Sequence, residues 1–204
     1  MSIFGRLQDN MIPDKKRLKK IALIARGRIL DVGFNENPNP FLSDPVGFDL
    51  SNGNRKKAAN YQKIVLGDCQ KISEYFPEKY FDTIVAGEII EHLENPSCFL
   101  RESTKILKDD GILLISTPNP YNISTIIANA LFIRRGVAAG HINLFPFRNM
   151  LELLSHCSLR CTKVLNATGG TKFLPNPYDR YFFMPVIKSF CWQLLYVIEK
   201  DKRS

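Results

Sequence analysis

Arg28-Ile29-Leu30-Asp31-Val32-Gly33-Phe34-Asn35-Glu36-Asn37-Pro38 is the stretch that decides the fold. The apolar run Ile29 to Val32 stops at a glycine and then meets residues that favour turns, which is how a buried parallel strand hands its backbone to a ligand. It reads as the first strand of a doubly wound α/β sheet. In such sheets ligands bind beyond the carboxyl ends of the strands, so the loop from Gly33 to Asn37 is expected at the mouth of a site.

Working outward, Leu18, Ile21, Ala22 and Ala25 recur at helical spacing before this strand, with Asp14 as the expected N-cap. After it, Asn37-Pro38-Asn39-Pro40-Phe41-Leu42-Ser43-Asp44-Pro45 holds three prolines, which predicts that the usual first crossover helix is short or absent. Further strands are expected at Val46 to Leu50, Lys63 to Cys69, Phe81 to Ala86, Ile112 to Ser116, Leu159 to Leu165 and Leu194 to Lys200, seven in all. Asn95-Pro96 should start a helix that stops at Lys108-Asp109-Asp110-Gly111, and two more helices are expected over Ile123 to Phe132 and Phe147 to His156.

A chain of 204 residues with 45% apolar content is long enough for one core, so a single α/β domain over 28–204 is expected after a basic helical extension over 1–27. The N-terminus lacks the apolar core of a signal peptide and no run reaches the length of a membrane span, which predicts a cytoplasmic protein. Five cysteines without a Cys-x-x-Cys pair, and three histidines, argue against a disulfide framework or a zinc site. The net charge of +8 is uneven: residues 1–30 carry eight Lys/Arg against two acids, 31–157 twelve against fifteen, and 158–204 eight against three. A nucleic-acid binder needs its cations at the ligand groove, whereas here they sit on the flanks. No specific nucleic-acid partner is therefore expected, and Lys15 to Lys20 reads as a solvated helix face.

Three acids each end a strand. Asp31 precedes the glycine and can orient that loop. Asp49, eighteen residues on, can take both hydroxyls of a ribose, because a carboxylate offers two acceptors to the two donors of a diol. Asp68 could accept from an adenine amino group. Together they point to a nucleoside ligand.

With these motifs in view, the chain resembles the class I S-adenosylmethionine-dependent methyltransferases, in the branch of small bacterial enzymes like those of ubiquinone biosynthesis. The resemblance is carried by Ile29-Leu30-Asp31-Val32-Gly33, Gly47-Phe48-Asp49-Leu50-Ser51, Gly67-Asp68-Cys69, Phe81 to Leu93 and Leu107 to Leu113 with Ser116-Thr117-Pro118-Asn119. It implies a Rossmann-like, three-layer sheet of seven strands with the last antiparallel, and S-adenosyl-L-methionine as cofactor. It places Asp31 and Gly33 at the methionine end, Asp49 and Leu50 at the ribose and adenine, Asp68 and Cys69 at the adenine edge, and Ala86, Gly87 and Glu88 beneath the sulfonium, with Asn35 of the glycine loop also against the cofactor. The family's glycines are replaced here by Asn35 and Asn37. Asparagine tolerates left-handed backbone, so one of the two is expected at positive φ.

His141, His92 and Tyr121 are the candidate catalytic groups, although an in-line methyl transfer can run on positioning alone. Residues 121–147 are expected to close over a small-molecule, saccharide or lipid-linked acceptor. Their apolar character also admits a weak peripheral membrane contact or a homodimer contact. The altered glycine loop keeps open a catalytically silent relative that binds the cofactor or a protein partner. A nicotinamide dehydrogenase is disfavoured, because its three-glycine fingerprint is missing.

Overall fold

A computed structural model of the chain describes residues 12–51, 58–131, 140–168 and 191–202. Seven strands form one sheet in the order β3-β2-β1-β4-β5-β7-β6: β1 (Ile29–Val32), β2 (Val46–Asp49), β3 (Lys63–Leu66), β4 (Phe81–Gly87), β5 (Leu107–Pro118), β6 (Leu159–Asn166) and β7 (Gln193–Lys200). The first five pair in parallel, and β7 runs antiparallel to both neighbours. This is the expected seven-stranded sheet with its last strand reversed. The strand order turns back between β1 and β4, so their carboxyl ends open side by side.

Alternation along the strands builds the two faces of the sheet, because successive side chains point to opposite sides. Leu30, Val32, Phe48, Ile84, Leu113, Ile115 and Tyr196 face one layer, filled by Ile72, Phe99, Leu100, Ile106, Met150 and Leu154. Those last residues come from α2 (Pro96–Ile106), α4 (Phe147–His156) and a 3-10 turn at Cys69–Glu74. Ile29, Val85, Ile112, Leu114, Leu195 and Val197 face the other layer, where α1 (Ile12–Ile24) contributes Ile21 and the β1–β2 loop contributes Leu42. As the prolines predict, that loop has no helix; the chain crosses from β1 to β2 as turns and bends.

Several boundaries move for local reasons. Asp14 lies within the first turn of α1, paired with Arg17, and is not its cap. Lys63 to Cys69 is divided: β3 stops at Leu66, and Asp68 caps the 3-10 turn by accepting from Gln70 N. α2 ends at Ile106, and β5 begins directly at Leu107. Leu107 pairs with Phe81 and Ile112 with Thr83, so the polar run Lys108 to Gly111 bulges out of the ladder instead of forming a helix stop. α3 (Ile123–Ala130) is shorter than expected, and Phe132 lies outside the described residues. The aromatic-rich stretch Tyr181-Phe182-Phe183 lies outside them too. Lys15 and Lys19 on α1 are exposed, as a solvated face requires, but Arg17 of the same run is buried, which overturns that reading at this position.

α2 has the local chemistry expected of it. Asn95 accepts from Cys98 N at 3.0 Å with Pro96 next, and Phe99 and Leu100 are fully buried. Asn95→Ala should cost about 1 kcal/mol, the worth of an N-cap. Phe99→Ala should cost about 3–5 kcal/mol through the cavity it leaves. Urea denaturation of the two variants checks both the sizes and their ranking.

Candidate functional site

A cavity of ≈ 580 Å³ opens at the carboxyl ends of β1, β2 and β4. Asp31, Gly33, Asn35, Asp49, Leu50, Cys69, Gly87 and Glu88 line it, which brings together most of the residues singled out in the sequence. Asp68 and Ala86 are not on its wall: Asp68 caps the adjoining turn and Ala86 is buried behind it.

Gly33 turns the chain with φ 71°, and its N–H donates to Phe48 O at 2.8 Å. An added Cβ would press on Ile89 at 3.0 Å, so both conformation and space call for glycine here. Neither Asn35 nor Asn37 has positive φ, which overturns that expectation. Asn37 precedes Pro38, and the ring of a proline pushes its predecessor towards extended backbone. Asn35 is instead tied across to β2: its N–H donates to Asp49 Oδ2 at 3.2 Å and its Nδ2 to Ser51 Oγ at 2.7 Å. Asp49 Oδ1 accepts from Ser51 N at 3.1 Å, so the carboxylate is fixed at the rim of the cavity. Leu50 beside it is 74% exposed, an apolar flank suited to a flat aromatic ligand.

The deeper wall is charged, and Arg17 and Gln193 in it were not read from the sequence. Arg17 of α1 is only 4% exposed, and its Nη1 donates to Ser116 Oγ at 3.1 Å beneath Gly87. A Cβ on Gly87 would stand 2.7 Å from that nitrogen. Glu88 follows at φ 57°, a strained backbone for a non-glycine residue, and its Oε2 accepts from Gln193 Nε2 of β7 at 2.7 Å. Burial pushes the Glu88 carboxyl up, and the Arg17 guanidinium opposes that rise. Burial pushes Asp31 up to about 7, against a hydrogen bond from Tyr61 and the charge of Arg17. Burial with the neighbouring Glu88 charge takes Glu91 to about 8. Burial also pushes Cys69 up to about 12, so it presents a neutral thiol to the cavity.

Along the opposite rim, a 3-10 turn at Ile90–His92 carries His92 into the cavity wall. His92 Nδ1 lies 2.9 Å from Gly140 O, and a carbonyl can only accept, so Nδ1 carries the proton. The rings of His92 and His141 meet edge to face at 4.6 Å. Ile142 N and Asn143 N both donate to Glu91 O at 3.0 Å, which pins the end of the 121–147 segment to this turn. Burial and then the nearby His92 lower the pKa of His141, leaving a neutral base. Glu91, His92 and His141 hold their ligand atoms within 4.8 Å of one another, a set of donors able to take a divalent cation. Tyr121 is exposed at the start of α3, its N–H on Asn119 Oδ1.

The wall suits S-adenosyl-L-methionine. Among the described residues, Arg17 Nε and Gln193 Oε1 are buried without a partner, one donor and one acceptor left for a zwitterionic ligand group, while Asp49 and Leu50 offer the acceptors and the apolar flank of a nucleoside site.

Known proteins carry the same pattern. Residues 6–164 match a family model described as "Methyltransferase domain". The chain is 30% identical over 132 residues to a ubiquinone biosynthesis O-methyltransferase of Glaesserella parasuis, covering 64% of this chain and 51% of that protein. It is 24% identical over 197 residues to an uncharacterised protein of Methanocaldococcus jannaschii, covering 85% and 76%. It spans about half the length of the first curated relatives it matches. The fold is shared with a SAM-dependent methyltransferase of Archaeoglobus fulgidus (TM-score 0.62, 18% identity, 92% of each chain). It is shared too with one of Thermotoga maritima described as a possible histamine N-methyltransferase (TM-score 0.69, 13% identity, 95% of this chain and 91% of that one). Two glycine-flanked strand ends, a carboxylate at the cavity rim and a match over most of the chain lead to one conclusion: this chain belongs to the methyltransferase-domain family, and it shares its fold with SAM-dependent methyltransferases.

Proposed function

We propose that the chain transfers a methyl group from S-adenosyl-L-methionine to an oxygen of a small-molecule, saccharide or lipid-linked acceptor. The observation that carries this is the convergence of Asp31, Gly33, Asp49, Gly87 and Glu88 on one cavity whose far rim bears His92. The choice of oxygen draws on relatives described as O-methyltransferases.

Asp49 takes the ribose hydroxyls and Leu50 flanks the adenine, with Cys69 at the adenine edge and Asp68 holding the turn behind it. Asp31, Gly33 and Asn35 surround the methionine end. Arg17 meets its carboxylate, since no helix N-terminus follows β1 to do so. Ala86, Gly87 and Glu88 form the floor beneath the reacting centre. When bound, the cofactor supplies the methyl group and a positively charged leaving group. His141, neutral and edge to face with His92, accepts the acceptor's proton as its oxygen attacks; His92 keeps His141 in place through the Gly140 contact. Tyr121 is exposed just before α3 and is not on the cavity wall. Exposed Tyr121, Ile126, Ile127, Leu131, Ile142, Leu144 and Phe147 all fall within 121–147, which suits an apolar acceptor and a weak membrane-surface or homodimer contact. No helix of the described residues is long and apolar enough to cross a membrane. The flanking positive charge is diffuse and specifies no nucleic acid.

Calorimetric titration with S-adenosylhomocysteine (SAH) and with NAD tests the cofactor; binding of NAD alone would overturn the proposal. Asp49→Ala should weaken SAH binding by about 1.5–3 kcal/mol, the worth of hydrogen bonds to a charged group. Unchanged affinity would remove Asp49 from the ribose. Cofactor binding without turnover on any acceptor would favour the silent relative.

His141→Ala should lower turnover by about 10²–10⁴-fold, the usual worth of a general base, and leave SAH affinity unchanged. Full activity in this variant would take His141 out of the mechanism, and loss of SAH binding would place it on the cofactor side.

A further inference from the structure

Asn60 and Tyr61 precede β3 and belong to no part of the cavity wall. They nevertheless grip the loop that stands where a crossover helix would be. Asn60 Nδ2 donates to the carbonyls of Asn39 at 3.1 Å and Leu42 at 2.9 Å. The Tyr61 hydroxyl accepts from Asn39 N at 2.9 Å and donates to Asp31 Oδ2 at 2.5 Å. Its ring lies 5.0 Å from that of Phe34, and it fills the space over Gly47, where a Cβ would come within 3.0 Å of it. The pair is itself anchored, with Tyr61 N on Ala58 O and Gln62 N on Pro45 O, each at 3.0 Å. Asp31, Phe34 and Asn39, which Tyr61 touches, all line the cavity.

We propose that Asn60 and Tyr61 are positioning residues for the cofactor, a clip that shapes the Gly33 to Pro45 loop and holds the Asp31 carboxylate towards the methionine end. This rests on the assignment of the cavity to S-adenosyl-L-methionine. A loop without helical hydrogen bonds must be ordered by something outside itself, or binding carries the entropy of ordering it. Tyr61 also has an electrostatic role, because a donor to a carboxylate favours its charged form. Arg17 from α1, Asp49 from β2 and Tyr61 face Asp31, while its β4 neighbour Val85 is uncharged. Arg17 and Tyr61 favour ionisation; burial and Asp49 oppose it. The α-ammonium of the ligand gains most from an ionised Asp31. Affinity should therefore rise with pH as Asp31 loses its proton, and removal of the Tyr61 hydroxyl should move that rise to higher pH.

The test is calorimetric titration of the full chain with SAH between about pH 5.5 and 8.5, with thermal melting of each variant alongside. For Tyr61→Phe, affinity should fall about tenfold near pH 7, recover at the alkaline end, and show an upward-shifted midpoint. Asn60→Ala should lower affinity at every pH without moving the midpoint, and Asp31→Asn should abolish the rise with pH. An unchanged Kd and midpoint in Tyr61→Phe would overturn the proposal. So would a loss equal at all pH values that merely follows a lower Tm, or a rise with pH that survives Asp31→Asn. A wild-type chain that melts cooperatively yet binds no SAH would overturn the cofactor assignment first, and the clip with it.

Discussion

The guanidinium of Arg17 is the charge on which the site depends. Three carboxyls lie at or behind the ends of β1 and β4, those of Asp31 and Glu91 buried and that of Glu88 half-buried, and loss of solvent raises all three. Arg17, itself buried, is a cation that lowers every one of them. Taking such charges out of water costs several kcal/mol per ion unless they are paired. Arg17 favours the ionised form of all three against that burial, and an ionised wall holds an ammonium group better than a neutral one. α1 is therefore part of the site and also a cover on the sheet, since its Ile21 packs into the second core layer from the same helix.

The sheet was legible because its strands read as short apolar runs, those of β1, β2 and β4 running into Gly or Asp; all seven were anticipated, most within a residue or two at each end. The cofactor-side acids were legible for the same reason: a strand's last residue is where the chain leaves the core. Arg17, Tyr61 and Gln193 were not. Arg17 sits inside a basic run that looks like a solvated face, and only its spacing four residues before inward Ile21 marks it as different from exposed Lys15 and Lys19. Tyr61 acts from a connection with no periodicity, and Gln193 lies one residue before the apolar run that defined the last strand. The expectation of positive φ at Asn35 or Asn37 failed because it weighed asparagine's tolerance without the following proline, which restricts Asn37 more strongly.

The strain at Glu88 has a local explanation that the sequence could not supply. Its φ of 57° places a side chain with little left-handed propensity at a sharp exit from β4. Its N–H on Ser116 O and its carboxyl on Gln193 bind it to β5 and β7 at once. A residue so held from two neighbouring strands cannot relax without loosening both. The antiparallel last strand, which completes the sheet, thus also supports the floor of the cavity.

The proline loop changes how an anionic ligand group can be held. A helix N-terminus offers several N–H groups and about half a unit charge, spread over its first turn and fixed by the backbone. In this chain Pro38 and Pro40 contribute no N–H, and Asn39 N is taken by Tyr61. Attraction for a carboxylate must then come from a side-chain cation. A whole charge in a buried position is stronger than a dipole, but a side chain is precise only when its own surroundings hold it. Ser116, Asp14 and the close backbone of Gly87 do this for Arg17, which explains why glycine occupies position 87: the guanidinium takes the volume that a Cβ would need.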